Sequence, residues 1–272
     1  AAFGTQRSTV RVRPPRLFII RHKQVVVTTP YLSIILPAHN EAQRISDSLD
    51  KIQQFVDSQT FDSEVLVIEN ASRDDTLRIA EEYQKAFPQL KVIQLDQPGK
   101  GNAIRVGMMA ATGQYRFMAD VDLSMPVEEI LHFLPPNLPT HQVAIGSREK
   151  EGSKRIGEPF YRHLIGRVFN LLVQFLVLPG IRDSQCGFKC FSATAAEQIF
   201  SIQTLDGWSF DVEVLTIARS LGYEVVEVPV TWIYQPGSRV RLVKDSWKMF
   251  QELLLIRRNK QNGLYGGKKD RS

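Results

Sequence analysis

The chain reads as an α/β protein: a doubly wound, mostly parallel sheet with helices on both faces and a C-terminal amphipathic helical region. Three observations predict this. Four short apolar runs alternate with three helix-period segments between residues 31 and 124. Each run stops at a polar or glycine-rich loop, and in a parallel sheet such loops gather at one edge. The 272 residues, 43% of them apolar, are enough to bury one large core.

The first run, Tyr31-Leu-Ser-Ile-Ile-Leu36, stops at Pro37 and reads as a buried strand. Between Glu41 and Ser58, the residues Ile45, Leu49, Ile52 and Phe55 fall on one face of a helix. Glu64-Val-Leu-Val-Ile68 is a second strand, and the polar turn Glu69 to Thr76 offers Asp74 or Asp75 as N-cap of a helix reaching Ala86. Lys91 to Leu95 is a third strand, followed by Pro98-Gly-Lys-Gly101 and a helix over 102–111. The fourth run, Tyr115 to Ala119, delivers Asp120-Val-Asp122.

The second half is less regular. Val143 to Gly146 reads as a strand ending at Ser147-Arg148, and Glu149 to Pro159 as a polar, mobile loop. From Phe160 to Leu178 the polar residues His163, Arg167, Asn170 and Gln174 form a narrow stripe on an apolar helix. Such a helix is either buried on most sides or lies in a membrane interface. Glu224 to Trp232 reads as a strand. Asp245 to Arg258 reads as a basic amphipathic helix with Trp247, Phe250 and Leu254 on one side. Three parts result: a basic extension over 1–30, a catalytic domain over 31–235, and a basic amphipathic helix and tail over 236–272.

A formal charge of +5 is unevenly spread. Residues 1–40 carry six Lys or Arg and no acid, residues 236–272 carry ten against three acids, and the middle holds 18 basic and 26 acidic residues. An acidic domain without a recognition motif excludes nucleic acid as a partner. Basic ends beside apolar residues suit either an anionic membrane surface or plain solubility. No membrane span is read, because Leu164 to Ile181 is interrupted by Arg167, Asn170, Gln174 and Pro179. No secretory signal is read either: Leu17 to Ile20 is too short and lies among Arg residues. The two cysteines, Cys186 and Cys190, support neither a disulfide framework nor a zinc site. The expected location is cytoplasmic, peripheral on the cytoplasmic face of a membrane.

The chemistry sits in the loops after the first four strands: Pro37-Ala-His-Asn-Glu41, Glu69 to Thr76, Pro98-Gly-Lys-Gly101 and Asp120-Val-Asp122. Side chains at i and i+2 of an extended chain point the same way, so Asp120 and Asp122 can converge on a hard divalent cation, Mg²⁺ or Mn²⁺. Such a cation suits a diphosphate leaving group. The spacing of a phosphate-cradling Gly-x4-Gly-Lys-Ser/Thr loop is missing, and no G-x-G-x-x-G opens the first helix. The combination reads as a nucleotide-sugar site.

In this order the motifs resemble the inverting family 2 glycosyltransferases of GT-A (Rossmann-like) fold. Within that family they are most similar to the sugar transferases acting on dolichyl and other polyprenyl phosphates, of glucosyl and mannosyl type. The resemblance spans residues 32–258 and rests on the first, third and fourth loops, on Gly146-Ser-Arg148, on Gly180-Ile-Arg-Asp-Ser-Gln-Cys-Gly-Phe-Lys189 and on Trp208-Ser-Phe-Asp-Val-Glu213. The last two point to the glucosyl type.

The resemblance implies that Pro37, Asn40, Glu41, Asn70, Lys100 and Asp120 bind the nucleotide-sugar, and that Asp120 and Asp122 hold the metal. It implies that Arg148 and Arg162 grip the acceptor phosphate, with Asp183, Gln185 and Asp211 closing the acceptor side. Asp211 is the candidate proton acceptor, its alternative being a carboxylate that only caps the helix Val212 to Ser220. His39 reads as structural. Three positions depart from the family pattern: Asn70 for a second carboxylate, Ser124 for a Gln and Gly166 for a Ser.

The expected function is transfer of glucose from UDP-glucose to a polyprenyl phosphate. The alternatives are GDP-mannose as donor, a soluble acceptor, or a non-catalytic nucleotide-sugar binding protein.

Overall fold

The computed structural model describes residues 29–139, 141–235 and 242–266, the side chains of the last stretch from 247 onward. Nearly all of the basic extension 1–30, the segment 236–241 and the tail 267–272 lie outside the described residues.

Seven strands form the main sheet in the order β3-β2-β1-β4-β7-β5-β8. In chain order they are β1 (Leu32–Ala38), β2 (Ser63–Asn70), β3 (Leu90–Leu95), β4 (Tyr115–Met118), β5 (Val143–Ser147), β7 (Lys189–Ser192) and β8 (Val225–Pro229). All pairs are parallel except those of β7, which runs antiparallel to β4 and β5. Alternation along β1 sends Leu32, Ile34 and Leu36 to one face and Ile35 to the other. The first face is covered by α1 (Ile45–Ser58), through Ile45, Leu49, Ile52 and Phe55, and by α2 (Thr76–Ala86). The second is covered by α3 (Lys100–Ala110), α5 (Ala193–Ile202) and α6 (Phe210–Ser220), with α7 (Leu242–Gln261) packed outside α6. The sheet is doubly wound as expected.

Several expectations need correction. The helix expected from Glu41 starts at Ile45, because residues 41–44 close a turn through Glu41 O. Asp75 is the residue before α2, but Asp74 does the capping: its Oδ1 accepts from Thr76 N at 3.1 Å. Residues 149–159 are not a free loop. They carry β6 (Lys154–Ile156), paired in parallel with β9 (Thr231–Ile233). The single strand expected over 224–232 therefore splits after Pro229, which lacks the N–H to continue the ladder. Sequence reading also passed over β7, α5 and a 3₁₀ turn at Val127–Phe133.

The largest difference concerns α4 (Phe160–Leu176). Only Asn170 and Val173 of this helix are buried. Its polar stripe faces inward: Arg167 pairs with Glu149 at 2.8 Å, His163 meets Glu158 at 3.3 Å, and Asn170 Nδ2 donates to Arg182 O. Leu164, Val168, Leu171 and Phe175 (85% exposed) face out. The reading of α4 as core is excluded. On α7 the expected stripe likewise turns outward: Trp247 and Leu254 are exposed, while Met249, Leu253 and Ile256 reach the core. No helix among the described residues is long and apolar enough to cross a membrane.

One buried carboxylate ties the sheet together. Glu64 at the start of β2 accepts from Ser33 Oγ at 2.7 Å, Thr112 N at 2.6 Å and Lys91 Nζ at 2.8 Å. Burial alone would raise its pKa, but the hydrogen bonds from Lys91, Thr112 and Ser33 win and lower it to about 2. Its contribution is therefore complete above the ordinary carboxylate range and lost as pH falls through about 2. In urea melts, Glu64→Gln is expected to cost on the order of 2 kcal/mol at pH 6, and the gap from wild type should narrow below the ordinary carboxylate range and close as pH falls through about 2. A gap independent of pH would remove the ionised form from this role.

Candidate functional site

The carboxyl ends of β1, β2 and β4 meet at one edge of the sheet, and each is followed within a few residues by a left-handed backbone position. These are Asn40 (φ 50°), Ala71 (φ 53°) and Leu123 (φ 42°). None is glycine, so each is strained, and strain of this kind collects where loops must be aimed. Hydrogen bonds hold the loops together. Asn40 N donates to Ser72 Oγ at 2.9 Å, and Asn40 Oδ1 accepts from Arg73 N at 2.7 Å. Asn70 Oδ1 accepts from Gly99 N at 2.9 Å. His39 Nδ1 lies 2.6 Å from Asn70 O and Nε2 lies 3.0 Å from Asn40 Nδ2, which fits a neutral ring protonated on Nδ1. His39 thus braces two loops.

A cavity of about 680 Å³ opens over this edge. Of the residues expected at the site, Pro37, Glu41, Asn70, Lys100, Asp120, Asp122, Arg148, Arg162, Asp183, Gln185 and Asp211 all line it. Asn40 does not. Its side chain is spent on His39 and Arg73 N, so it shapes the loop.

Three ion pairs organise the cavity wall. Lys100, at the start of α3, meets Asp120 at 2.6 Å and lies over the Trp208 ring at 5.5 Å. Arg148 holds Asp183 through Nε at 2.7 Å and a terminal nitrogen at 2.9 Å, while its backbone N–H reaches the same carboxylate. Burial opposes ionisation of Asp183, yet Arg148 draws its pKa down to about 2. Lys189, fully buried at the start of β7, meets Asp211 at 2.5 Å. Asp211 lies in the first turn of α6, and burial raises its pKa despite the two nearby lysines.

Asp122 is different. It has no cation partner among the described residues, and burial and the charge of Asp120 raise its pKa. Ser124 N steadies it at 3.0 Å, with smaller help from the Ser124 hydroxyl and the charge of Lys100. Two adjoining carboxylates with one lysine between them leave negative charge to be neutralised, and hard oxygen donors fit Mg²⁺ or Mn²⁺. No set of three or more His, Cys, Asp or Glu side chains is assembled for a metal among the described residues. The residues present therefore fit a cation that takes two protein carboxylates and fills its other positions from substrate and water.

At the far end of the cavity the guanidinium groups collect. Arg148 and Arg155 flank the Trp232 ring at 5.4 and 6.0 Å, and Arg155 is tied to Glu158 at 2.5 Å and to Glu149. Arg162 lies over Tyr234 at 5.5 Å; among the described residues it has no ion pair, and its buried Nε has no acceptor. It is a cation on the cavity wall with no ion-pair partner among the described residues.

Sequence reading gave no role to Lys189, Trp208, Gly187, Arg155, Trp232 or Tyr234. A lysine inside the apolar run Gly187-Phe-Lys-Cys-Phe191 was the available signal for a buried, paired charge. Gly187 matters by what it lacks: a Cβ there would overlap the Asp120 carboxylate.

Comparison with known proteins agrees with this geometry. The model of the Glycosyl transferase family 2 domain matches residues 33–200. Curated relatives include the dolichyl-phosphate beta-glucosyltransferases of Drosophila melanogaster (34% identity, 83% of this chain and 74% of that one) and Homo sapiens (32%, 84% and 75%). Among solved structures, mannosyl-3-phosphoglycerate synthase from Rubrobacter xylanophilus aligns with a TM-score of 0.63 at 18% identity, covering 86% of this chain and 75% of that one. Glucosyl-3-phosphoglycerate synthase from Mycobacterium tuberculosis, crystallised with Mn²⁺ and uridine diphosphate, aligns with a TM-score of 0.62 at 19% identity, covering 84% and 80%. These structures share the fold.

Gly187→Ala should weaken Mn²⁺ binding by about tenfold or more in titration calorimetry, by displacing Asp120, while the chain still melts cooperatively. Unchanged affinity would detach Asp120 from the cation seat.

Proposed function

The chain belongs to glycosyl transferase family 2, and on that premise we propose that it transfers glucose from UDP-glucose to a polyprenyl phosphate of dolichyl type. The observation that carries this reading is a single cavity with two unlike ends. One end has Lys100 beside Asp120 and Asp122; the other has Arg148, together with Arg162 of the outward-facing apolar helix α4. The relatives' names supply the sugar and the lipid.

Lys100 receives the diphosphate of the donor, and its ammonium offsets charge that grows on the leaving group. Asp120 fixes the direction of that ammonium. Asp120 and Asp122 would hold Mg²⁺ or Mn²⁺, which would add Lewis-acid stabilisation of the same charge. Support for a divalent ion comes from the donor set and from the Mn²⁺ in the structurally similar synthase. Arg162 and the free N–H groups of Arg148 receive the acceptor phosphate in the geometry guanidinium favours. Asp183 keeps Arg148 in place. The acceptor oxygen is already an anion near neutral pH. It attacks the anomeric carbon, that carbon's bond to the diphosphate oxygen breaks, and the electron pair leaves with UDP. No proton must move first. Asp211 offers its second oxygen to a hydroxyl of the bound sugar.

The apolar face of α4 supports a peripheral membrane position on the side where nucleotide-sugar is supplied. Ile165 and Phe169 of this helix also line the cavity, so the face and the acceptor end adjoin. Burying several such side chains at about 1.5–3 kcal/mol each is ample for surface binding. A soluble phosphorylated acceptor would not need this face.

Radiolabelled UDP-glucose with Mg²⁺ and a polyprenyl phosphate should give lipid-extractable label, with GDP-mannose giving none. Label appearing only as free sugar would sink the acceptor assignment. Asp122→Ala should abolish turnover with an unchanged melting temperature; activity in the presence of a chelator would overturn the metal's part. Leu171→Ser with Phe175→Ser should reduce sedimentation with anionic vesicles and spare turnover of a short, water-soluble prenyl phosphate. Undiminished sedimentation would exclude α4 as the contact.

A further inference from the structure

Lys189 is a charged side chain of the site that does not line the cavity. It opens the antiparallel strand β7, opposite Met118 of β4 and Ile145 of β5. Its register partners therefore stand two residues before Asp120 and three before Arg148. Its exposure is 0%. A lysine so placed is tolerated only when its charge is matched and its protons are used. Two are: one goes to Asp211 Oδ1 at 2.5 Å and one to Cys186 O at 2.6 Å. Cys186 belongs to the loop 183–187, whose Asp183 holds Arg148 and whose Gly187 leaves room for Asp120. Asp211 lines the cavity, and its second oxygen has no donor among the described residues.

We propose that Lys189 is a positioning residue for the transfer: its buried ammonium holds one oxygen of Asp211 and so aims the other at the reacting sugar. This rests on the transferase reading. The carbonyl of Cys186 keeps the ammonium from swinging away, and the rigid strand beneath fixes its height. With a neutral side chain at 189, Asp211 would be a buried carboxylate without a counter-charge. It would then take up a proton or turn toward water, and the acceptor oxygen facing the sugar would be lost.

The test compares four full-length proteins: wild type, Lys189→Met, Asp211→Asn and the double variant. Glucose transfer and thermal melting are measured on each. Asp211→Asn should lower kcat about a hundredfold, with a much smaller change in KM for UDP-glucose. Lys189→Met should do the same, and both single variants should melt at lower temperature than wild type, because each leaves one buried charge unmatched. The double variant buries no unpaired charge, so it should melt at higher temperature than either single variant and have the same kcat as Asp211→Asn, not the product of two losses. A further loss in the double variant, or wild-type kcat in Lys189→Met, would overturn the proposal. If Lys189→Met does not fold, the comparison of Asp211→Asn with the double variant still decides. Absence of product from wild type itself would overturn the transferase reading, and this role with it.

Discussion

Charge balance at the edge of the sheet is the constraint on which the rest of the site depends. Four aspartates, Asp120, Asp122, Asp183 and Asp211, line one cavity. Three are matched by Lys100, Arg148 and Lys189, and each match joins different segments of the chain. Lys100 links α3 to the end of β4, Arg148 links the end of β5 to the loop before β7, and Lys189 links β7 to α6. The pairs act as cross-ties as well as counter-charges. Burying such ions costs several kcal/mol apiece, so the pairs add little to net stability. What they provide is a fixed arrangement of donors and acceptors, with Asp122 left without an ion pair among the described residues beside Asp120.

Much of the fold was legible because its first half is locally consistent. In α1 the spacing of Ile45, Leu49, Ile52 and Phe55 is both the sequence signal and the packed face. The polar breaks after β1, β2 and β4 could be placed at one edge from parallel connectivity alone. Short elements were illegible for the opposite reason. The strand β7 is four residues long and begins with Lys189, whose burial makes sense only once Asp211, 22 positions away, is brought beside it.

The candidate site was legible in residue type and less so in orientation. Asn40 stands at the expected place, but its left-handed backbone turns the side chain onto the neighbouring loop. For α4, periodicity revealed a polar stripe without revealing which way it faces. That choice is made by Glu149, Glu158 and the carbonyl of Arg182, all outside the helix. Amphipathicity fixes a helix's rotation only relative to its surroundings.

The inverted orientation of α4 has a consequence for how the protein can vary. In an ordinary amphipathic helix the apolar residues secure the fold, and their substitution is penalised through stability. Here the anchoring residues are His163, Arg167, Asn170 and the single buried Val173, while Leu164, Val168, Leu171 and Phe175 are exposed among the described residues. The contacts that hold the helix and its exposed apolar surface thereby fall largely on separate residues of the same seventeen-residue segment. Selection can tune the stickiness of this surface for one environment or another, residue by residue, while the architecture behind it stays untouched.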